Sequence, residues 1–441
     1  MVNLSSKKGI ALIAVYLALV VLLIFVAVFF NVSTSQNLSA NIFARRAQAF
    51  DLAEAGLDRV IYCLRANIPV PSDDQYLSTG LNTGKYSMAV EDLGGVGSMR
   101  RYKITSIGTA GSVSRTLVNN VQTDNYARYI WFTDSETFQN SPVWFWSLDT
   151  LNGPVHTNGH FNIYGSPTFK DIVESVDRYI TYYNDGDNIN LTGLSNPPHD
   201  TPHFDGGVNL GVYKVNMPTQ DNNLRSASTA EGGLRLNGDT TIVLNSDGTM
   251  NVTNSSYCIK RNKWNQCTQN CSDTCTNQPL PARGALFVAG GNLTVSGTLK
   301  GRLSVGASGN IVIPADIRYA NDPRLPGSTS TDTLGIVAEQ DVMIPSNAPT
   351  NLEIDASIMA LNTSFYLQNW ASGSPKGNLT VFGGIIQKQR GPVGTFNATT
   401  NTKLSGYSKK YTYDGRLMYN PPPFVPTTGD YITLSWEDVT Q

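Results

Sequence analysis

Charge, histidine and most of the familiar catalytic signatures are scarce in this chain. Only 15% of its 441 residues are charged and the formal net charge is −2. No cluster of Lys and Arg stands out, so nothing offers the counterion-displacing surface that a nucleic acid requires, and nucleic acid is excluded as a partner. There is no GxSxG elbow, no Walker loop and no GxGxxG placed between a strand and a helix, which removes the common hydrolase, nucleotide and dinucleotide readings. Asp and Glu are thin across 284–313, where a carboxylate-based glycosidase or lyase would need them. The expectation is a non-enzymatic protein.

The stretch from Ile10 to Phe30, IALIAVYLALVVLLIFVAVFF, contains no charge, no Pro and no Gly. At a rise of about 1.5 Å per residue it matches a hydrocarbon core of about 30 Å, where only a helix satisfies its own backbone. Lys7 and Lys8 precede it and the first acidic residue is Asp51. The positive-inside rule then leaves residues 1–9 as a cytoplasmic leader and exports the remainder. The expected location is the inner membrane, single-pass, with the bulk of the chain periplasmic or at the cell surface. A cleaved signal peptide is the alternative, but its apolar region is usually shorter, about 7–15 residues, and NVSTSQNLSA is a poor cleavage site.

Residues 31–66 read as a continuation of the same helix. Phe50, Ala53, Leu57, Ile61 and Leu64 recur at three- and four-residue spacing, and Pro69 and Pro71 end the pattern. Between 67 and 125, three runs (86–90, 101–107 and 115–121) alternate or run apolar between Gly-containing turns. They read as an antiparallel meander whose apolar face needs a helix as cover.

Two features resemble type IV pilins and pseudopilins. Ser5–Ser6–Lys7–Lys8–Gly9 before the apolar run is similar to a class III leader, which implies a prepilin-peptidase cut between Gly9 and Ile10. AFDLAEAGLDRV resembles the helix of PilX-type minor pilins, with Ala53, Glu54, Ala55 and Gly56 carrying the match. The resemblance covers about 5–125 and implies other pilin-like subunits as partners. It departs at Ala14, where major pilins carry a Glu that pairs with a neighbouring subunit's N-terminus during assembly. That departure points to an accessory subunit.

From about 126 the pattern changes to short strands. Runs at 284–289, 292–297, 302–305, 310–314, 334–337, 341–345 and 378–386 alternate apolar with polar residues and are set off by Gly, Asn or Pro. Asn-Gly and Asp-Gly hairpin turns are sparse between them. Gly-Asn-Leu-Thr-Val occurs at 291–295 and again at 377–381, and Asn-Ile-Val-Ile (310–313) has a counterpart in Asp-Val-Met-Ile (341–344). This suits a single-stranded parallel β-helix of stacked rungs, with a β-sandwich as the alternative. The expected fold is therefore mainly β: a long N-terminal helix, a small meander, then a β-helix-like domain over 126–441. That domain carries an insertion at about 166–232, with a helical piece near 168–183, and a Cys-rich loop at 254–280.

GlyProValHisThrAsnGly (153–159), GlyProValGlyThrPhe (391–396), GlyTyrSerLysLysTyrThrTyrAspGlyArgLeu (406–417) and ProProProPheValPro (421–426) together resemble a bacterial envelope domain family of unknown function. Its members often follow a PilX-type N-terminus. The resemblance spans about 125–437 and implies no activity. The Pro-rich run is expected to cross the surface as polyproline II, since Pro cannot donate to a strand.

Four of the 5 Cys (Cys258, Cys267, Cys271 and Cys275) share one insert. In an oxidising compartment they read as two disulfides in any of three connectivities, whereas a zinc site is the poorer fit because no C-x2-C knuckle is present. Cys63 reads as a small apolar core residue. The 4 His form two HxxxH pairs, His156 with His160 and His199 with His203. With Asp200 and Asp205 nearby they are the better divalent-metal candidates, although neither pair lies on an evident helix. No other cofactor is expected. Tyr164, Tyr366, Trp370 and Tyr411 are aromatics available to a surface glycan, though packing is the commoner use of such rings.

Overall fold

In the computed structural model Leu4–Ala66 forms one helix, α1, 63 residues long, or about 95 Å at the usual rise. The described residues are 4–71, 75–79, 82–95, 97–183, 188–189, 200–264, 267–271, 274–397, 400 and 402–440. They divide into two units, one of residues 1–94, 101–122 and 431–441 and one of 95–100 and 123–430.

In the first unit α1 changes character along its length. Its membrane-length segment from Ala11 is wholly unburied within the chain, with Leu12 73%, Phe25 69% and Phe29 75% exposed. The later turns are packed: Ala49, Leu52, Ala53, Gly56, Leu57, Val60 and Cys63 are buried. The buried stripe is therefore rotated from the expected one. Phe50, Ile61 and Leu64 sit half-buried on its flank, because small residues (Ala49, Ala53 and Gly56) make the closest approach to the sheet, with Leu52, Leu57 and Val60 packed beside them. A Cβ on Gly108 would lie 2.1 Å from the Ala49 carbonyl oxygen and 2.4 Å from the Ala53 nitrogen. Strand and helix backbones meet there, and only glycine fits. The helix ends in a Schellman arrangement. Asn67 takes φ 51, and the Ile68 N–H bonds the Cys63 carbonyl at 3.0 Å.

The sheet under α1 has five strands, against the three expected. Gln75–Thr79, Asn82–Gly94, Arg101–Ala110 and Val113–Asn125 are neighbours in that order. The last two pair antiparallel across a turn at Gly111, whose φ of 61 suits a tight hairpin. The fifth strand, Thr427–Asp438, adds beside Val113–Asn125, so the chain's end belongs to this sheet and not to the larger domain where the sequence reading put it. Ile104, Leu117 and Val121 supply the core against Ala53, Leu57 and Val60.

The second unit is built from many short parallel strands in a 23-stranded sheet and a smaller one. The strands at 285–289, 293–299, 302–307, 311–312, 333–338, 342–344 and 375–389 fall where the alternation placed them. Pairings sort them into three ladders, which the chain visits in turn. The first is the longest. Leu234, Leu286, Val305, Ile336, Ile358, Ile385, Trp131, Val155, Val173 and Val208 are successive register partners along it. One apolar column thus runs through ten strands, with all but its two end members buried. A third ladder carries a parallel column, Ile317–Ile354–Val381–Tyr411–Leu151–Phe169–Phe204.

These columns expose an order that the sequence does not announce. The segment from 234 to 413 leads, and residues 131–210 continue its ladders where it stops: Ile385 pairs with Trp131 and Tyr411 with Leu151. The two halves of the unit thus join at a seam, in reverse chain order. No helix forms over 168–183. Thr168–Phe169, Val173–Ser175 and Ile180–Tyr182 are strands of these ladders, since the partners waiting at Val155 and Leu151 outweigh local propensity. Among the described residues the helical piece of the expected insertion is α2 (Asn222–Thr229). The near-repeats 310–313 and 341–344 are neighbours, Ile311 on Val342. The two Gly-Asn-Leu-Thr-Val runs occupy different ladders, Leu293 beside Ile311 and Leu379 beside Leu352.

Candidate functional site

The motif residues of α1 divide by face. Ala53 and Gly56 are buried, Ala55 is half-buried and Glu54 is exposed. A Cβ on Gly56 would come 2.1 Å from the Ser106 hydroxyl oxygen, so Ala53 and Gly56 set the close approach of helix and sheet. Gly9 and Ile10 lie inside α1.

The cysteine insert forms two disulfides between sequence neighbours, Cys258–Cys267 and Cys271–Cys275. The first ties a hairpin of Cys258–Arg261 and Cys267–Asn270, and Trp264 near its tip is 70% exposed. Cys63 is free and buried.

The described histidines do not gather at one metal-binding site. His156 is buried in the outward column of the first ladder, between Phe132 and Glu174. Its ring stacks on Phe132 at 5.0 Å, with Nδ1 3.4 Å from the Glu174 carboxylate and Nε2 3.1 Å from Asn158 Oδ1. The contact with His156 holds Glu174 below the usual carboxylate range. His160 meets Asp177 at 3.0 Å and the Tyr179 ring at 4.6 Å. His203 is an exposed strand residue beside Thr168, and His199 lies outside the described residues. Among the described residues no group of three or more His, Cys, Asp or Glu is placed to hold a metal ion.

The seam carries the strongest site. The first and third ladders cross it unbroken, but the second does not. Leu293, Ile311, Val342 and Phe365 form its leading part, and Phe145, Ile163 and Tyr182 continue in a separate sheet. At the break the Phe365 N–H is capped by the Gln387 side-chain oxygen at 2.9 Å, not by another strand. Arg390, fully buried, fills the missing rung. Its guanidinium lies 3.5 Å from the Phe145 ring centroid, bonds Glu136 at 2.9 Å and donates to the Trp144 carbonyl at 3.0 Å. Glu136 is also held by the Trp131 indole N–H at 3.1 Å.

In front of this plug lies a cavity of about 420 Å³. Its rim includes a hairpin, Thr137–Phe138 with Ser141–Pro142, whose turn residues Gln139 and Asn140 both take positive φ. Three of the chain's 6 tryptophans line it, Trp144, Trp146 and Trp370. Trp146 and Phe396 stack at 5.1 Å with 3° between planes, and Phe138 meets Trp370 edge-on at 6.1 Å. Asp149 and Lys409 also line it and are bonded to each other at 2.6 Å. Burial pushes the Lys409 ammonium down from its ordinary pKa, against the pull of Asp149.

Of the four aromatics singled out in the sequence, only Trp370 lines this cavity. Tyr411 is core, Tyr164 is buried against Phe396 at 4.8 Å and Tyr366 packs on Phe138 at 5.8 Å. Sequence reasoning missed the seam residues because they come from 136–149 and 390–409, which nothing local brings together. The signals present were the aromatic density of ValTrpPheTrp (143–146) and the wording of 391–396 and 406–417, none of which shows that these segments meet.

A family model described as a domain of unknown function (DUF4900) matches residues 88–177. It starts before and ends well short of the expected 125–437. No curated protein matches. Among solved structures, the crystal structure of the competence-associated pilin ComZ from Thermus thermophilus aligns at 12% identity and a TM-score of 0.35, over 89% of this chain and 97% of that one.

Proposed function

We propose that this chain is a membrane-anchored, pilin-like accessory subunit of a type IV pilus or type II secretion-like assembly, of minor-pilin or pseudopilin type. Its large β-rich head serves adhesion or assembly. The observation that carries this reading is the division of α1 into a bare apolar first half and a second half docked on an antiparallel sheet. A plain anchor needs only the first half. One unbroken helix of 63 residues makes sense where neighbouring helices cover what the chain itself leaves exposed. Ala14, in place of an acidic residue, fits a low-copy position. Lys7 and Lys8 favour a cytoplasmic N-terminus, and the two disulfides favour an oxidising compartment for the head.

On this reading the three ladders are the sides of a single-stranded parallel β-helix. Parallel pairing along all three ladders, between strands one circuit apart, supports it over a sandwich, which is built mainly from antiparallel neighbours. The reading assigns the head no catalysis and no resident cofactor. A second reading, a tethered carbohydrate-binding protein, is favoured by the seam cavity and is compatible with the first.

Mass spectrometry of the protein from membranes that contain a prepilin peptidase tests the proposal. Cleavage is expected to leave Ile10 as the first residue. An intact Met1 in that background, with the chain absent from sheared pilus fractions, would count against it.

A further inference from the structure

The geometry points to the seam cavity as a binding site for a neutral saccharide, stacked on Trp370, enclosed by the Trp146–Phe396 wall and hydrogen-bonded by Asp149 and Lys409 at its floor. This deepens the adhesive reading of the head, but binding measured directly stands or falls whether or not Gly9 is cut.

The ligand class follows from what the walls and floor reject. The volume, about 420 Å³, falls within the roughly 300–1,000 Å³ of small-molecule sites. Phe396 is stacked between Trp146 and Tyr164 and stiffens one wall, while the half-buried Trp370, met edge-on by Phe138, offers a flat apolar face that suits the C–H face of a sugar ring as well as another aromatic. The floor separates these. Asp149 Oδ2 accepts from Lys409 at 2.6 Å and from the Trp146 backbone N–H at 3.0 Å. Its Oδ1 takes no hydrogen bond from any described residue and keeps accessible surface. Lys409 has three N–H donors and spends one, on Asp149. By contrast Lys403, on the same lining, uses its donors on the Lys376 and Gly377 carbonyls and the Ser408 hydroxyl.

The floor therefore presents one open acceptor beside two open donors, already neutralised as a pair. A purely apolar ligand would leave all three unmatched. An anion would face Asp149, and a cation would face Lys409 with Arg390 behind it, 4.0 Å from Asp149. Neighbouring hydroxyls, each both donor and acceptor, match the set. The site is also preorganised. The break in the second ladder opens it, Arg390 and Glu136 brace its floor, and the Ser405 hydroxyl ties one wall to the Trp370 carbonyl.

The test uses the full-length protein in a zwitterionic detergent with no sugar headgroup. Its tryptophan emission is titrated with neutral probes (glucose, galactose, N-acetylglucosamine and their disaccharides), with a glycan microarray run in parallel. At least one neutral saccharide is expected to bind saturably, with Kd in the millimolar range or tighter, and to shield the tryptophans from acrylamide. Lys409→Gln and Trp370→Ala should each weaken binding at least tenfold, while Trp264→Ala should leave it unchanged. Melting curves of each variant identify one that has lost its fold. Phe396→Leu, at a half-buried wall position, then replaces it, with the same tenfold loss expected. The proposal is overturned if no neutral saccharide binds, if the folded variants bind as the parent does, or if only anionic glycans bind.

Discussion

Asp221 shows how one carboxyl gives the head a pH dependence. It caps α2, with Oδ1 accepting the Leu224 N–H at 3.0 Å, while its other oxygen is buried with no partner. Burial, with Glu339 nearby, pushes its pKa up to about 7. A raised carboxyl binds its proton more tightly in the folded state than in the unfolded one, where it titrates near 4. Below about pH 4 both states are protonated and stability is unaffected. Between about pH 4 and 7 the folded state holds more protons, so stability falls as pH rises, and above 7 the full cost stands. That cost is on the order of 2–4 kcal/mol. Asp221→Asn keeps the cap and removes the charge. Thermal melts should show a flatter profile between pH 4 and 7 and a higher Tm than the parent at pH 8, by several degrees. Arg390 is the opposite case, a buried ion with a carboxylate partner in place. Arg390→Ala strands Glu136, and denaturant unfolding should show a loss of about 3–5 kcal/mol.

At the scale of elements, α1 is the most legible part of the molecule, and its limits teach the most. Its span, its continuation past the apolar run and its stop before Pro69 all follow from composition and periodicity. Which face docks does not follow in full, because Phe50, Ile61 and Leu64 advertise a large-residue stripe while the closest contacts are made by Ala49 and Ala53 against Gly108 and by Gly56 against Ser106. Close backbone approach selects small residues, and hydrophobicity is blind to it. Gly108→Val should accordingly separate helix from sheet, costing about 2–4 kcal/mol by overpacking. Hydrogen exchange should then show loss of protection at Ile104 and Leu117, with the second unit unchanged. The Cys-rich hairpin is bound locally, since both disulfides join near neighbours. Reducing them should raise exchange within 258–279 and leave the ladders protected.

For the whole molecule, strand positions were readable in the second unit but strand order was not. Alternation and Gly or Asn punctuation mark each strand, whereas register across chain-distant partners such as Ile385 and Trp131 is set only by the assembled column. The same limit hid the cavity, which exists because two halves meet in reversed order with one ladder broken. In a stack held by nearest-neighbour contacts the interior is the most stable part. Hydrogen exchange should therefore be slowest around Ile336, Ile358, Ile385 and Trp131 and faster toward Leu234 and Val208. Slow exchange at the seam itself would mark the halves as one cooperative stack.

In the proposed assembly α1's bare face is covered by other pilin-like helices and not by lipid alone. A photo-crosslinking amino acid at Leu19 or Ile24, exposed positions of the apolar half, tests this in cells with an assembled system. A crosslink to the apolar N-terminal helix of another pilin-like subunit is expected, lost when assembly is blocked. Crosslinks to lipid only, unchanged by assembly, would contradict it.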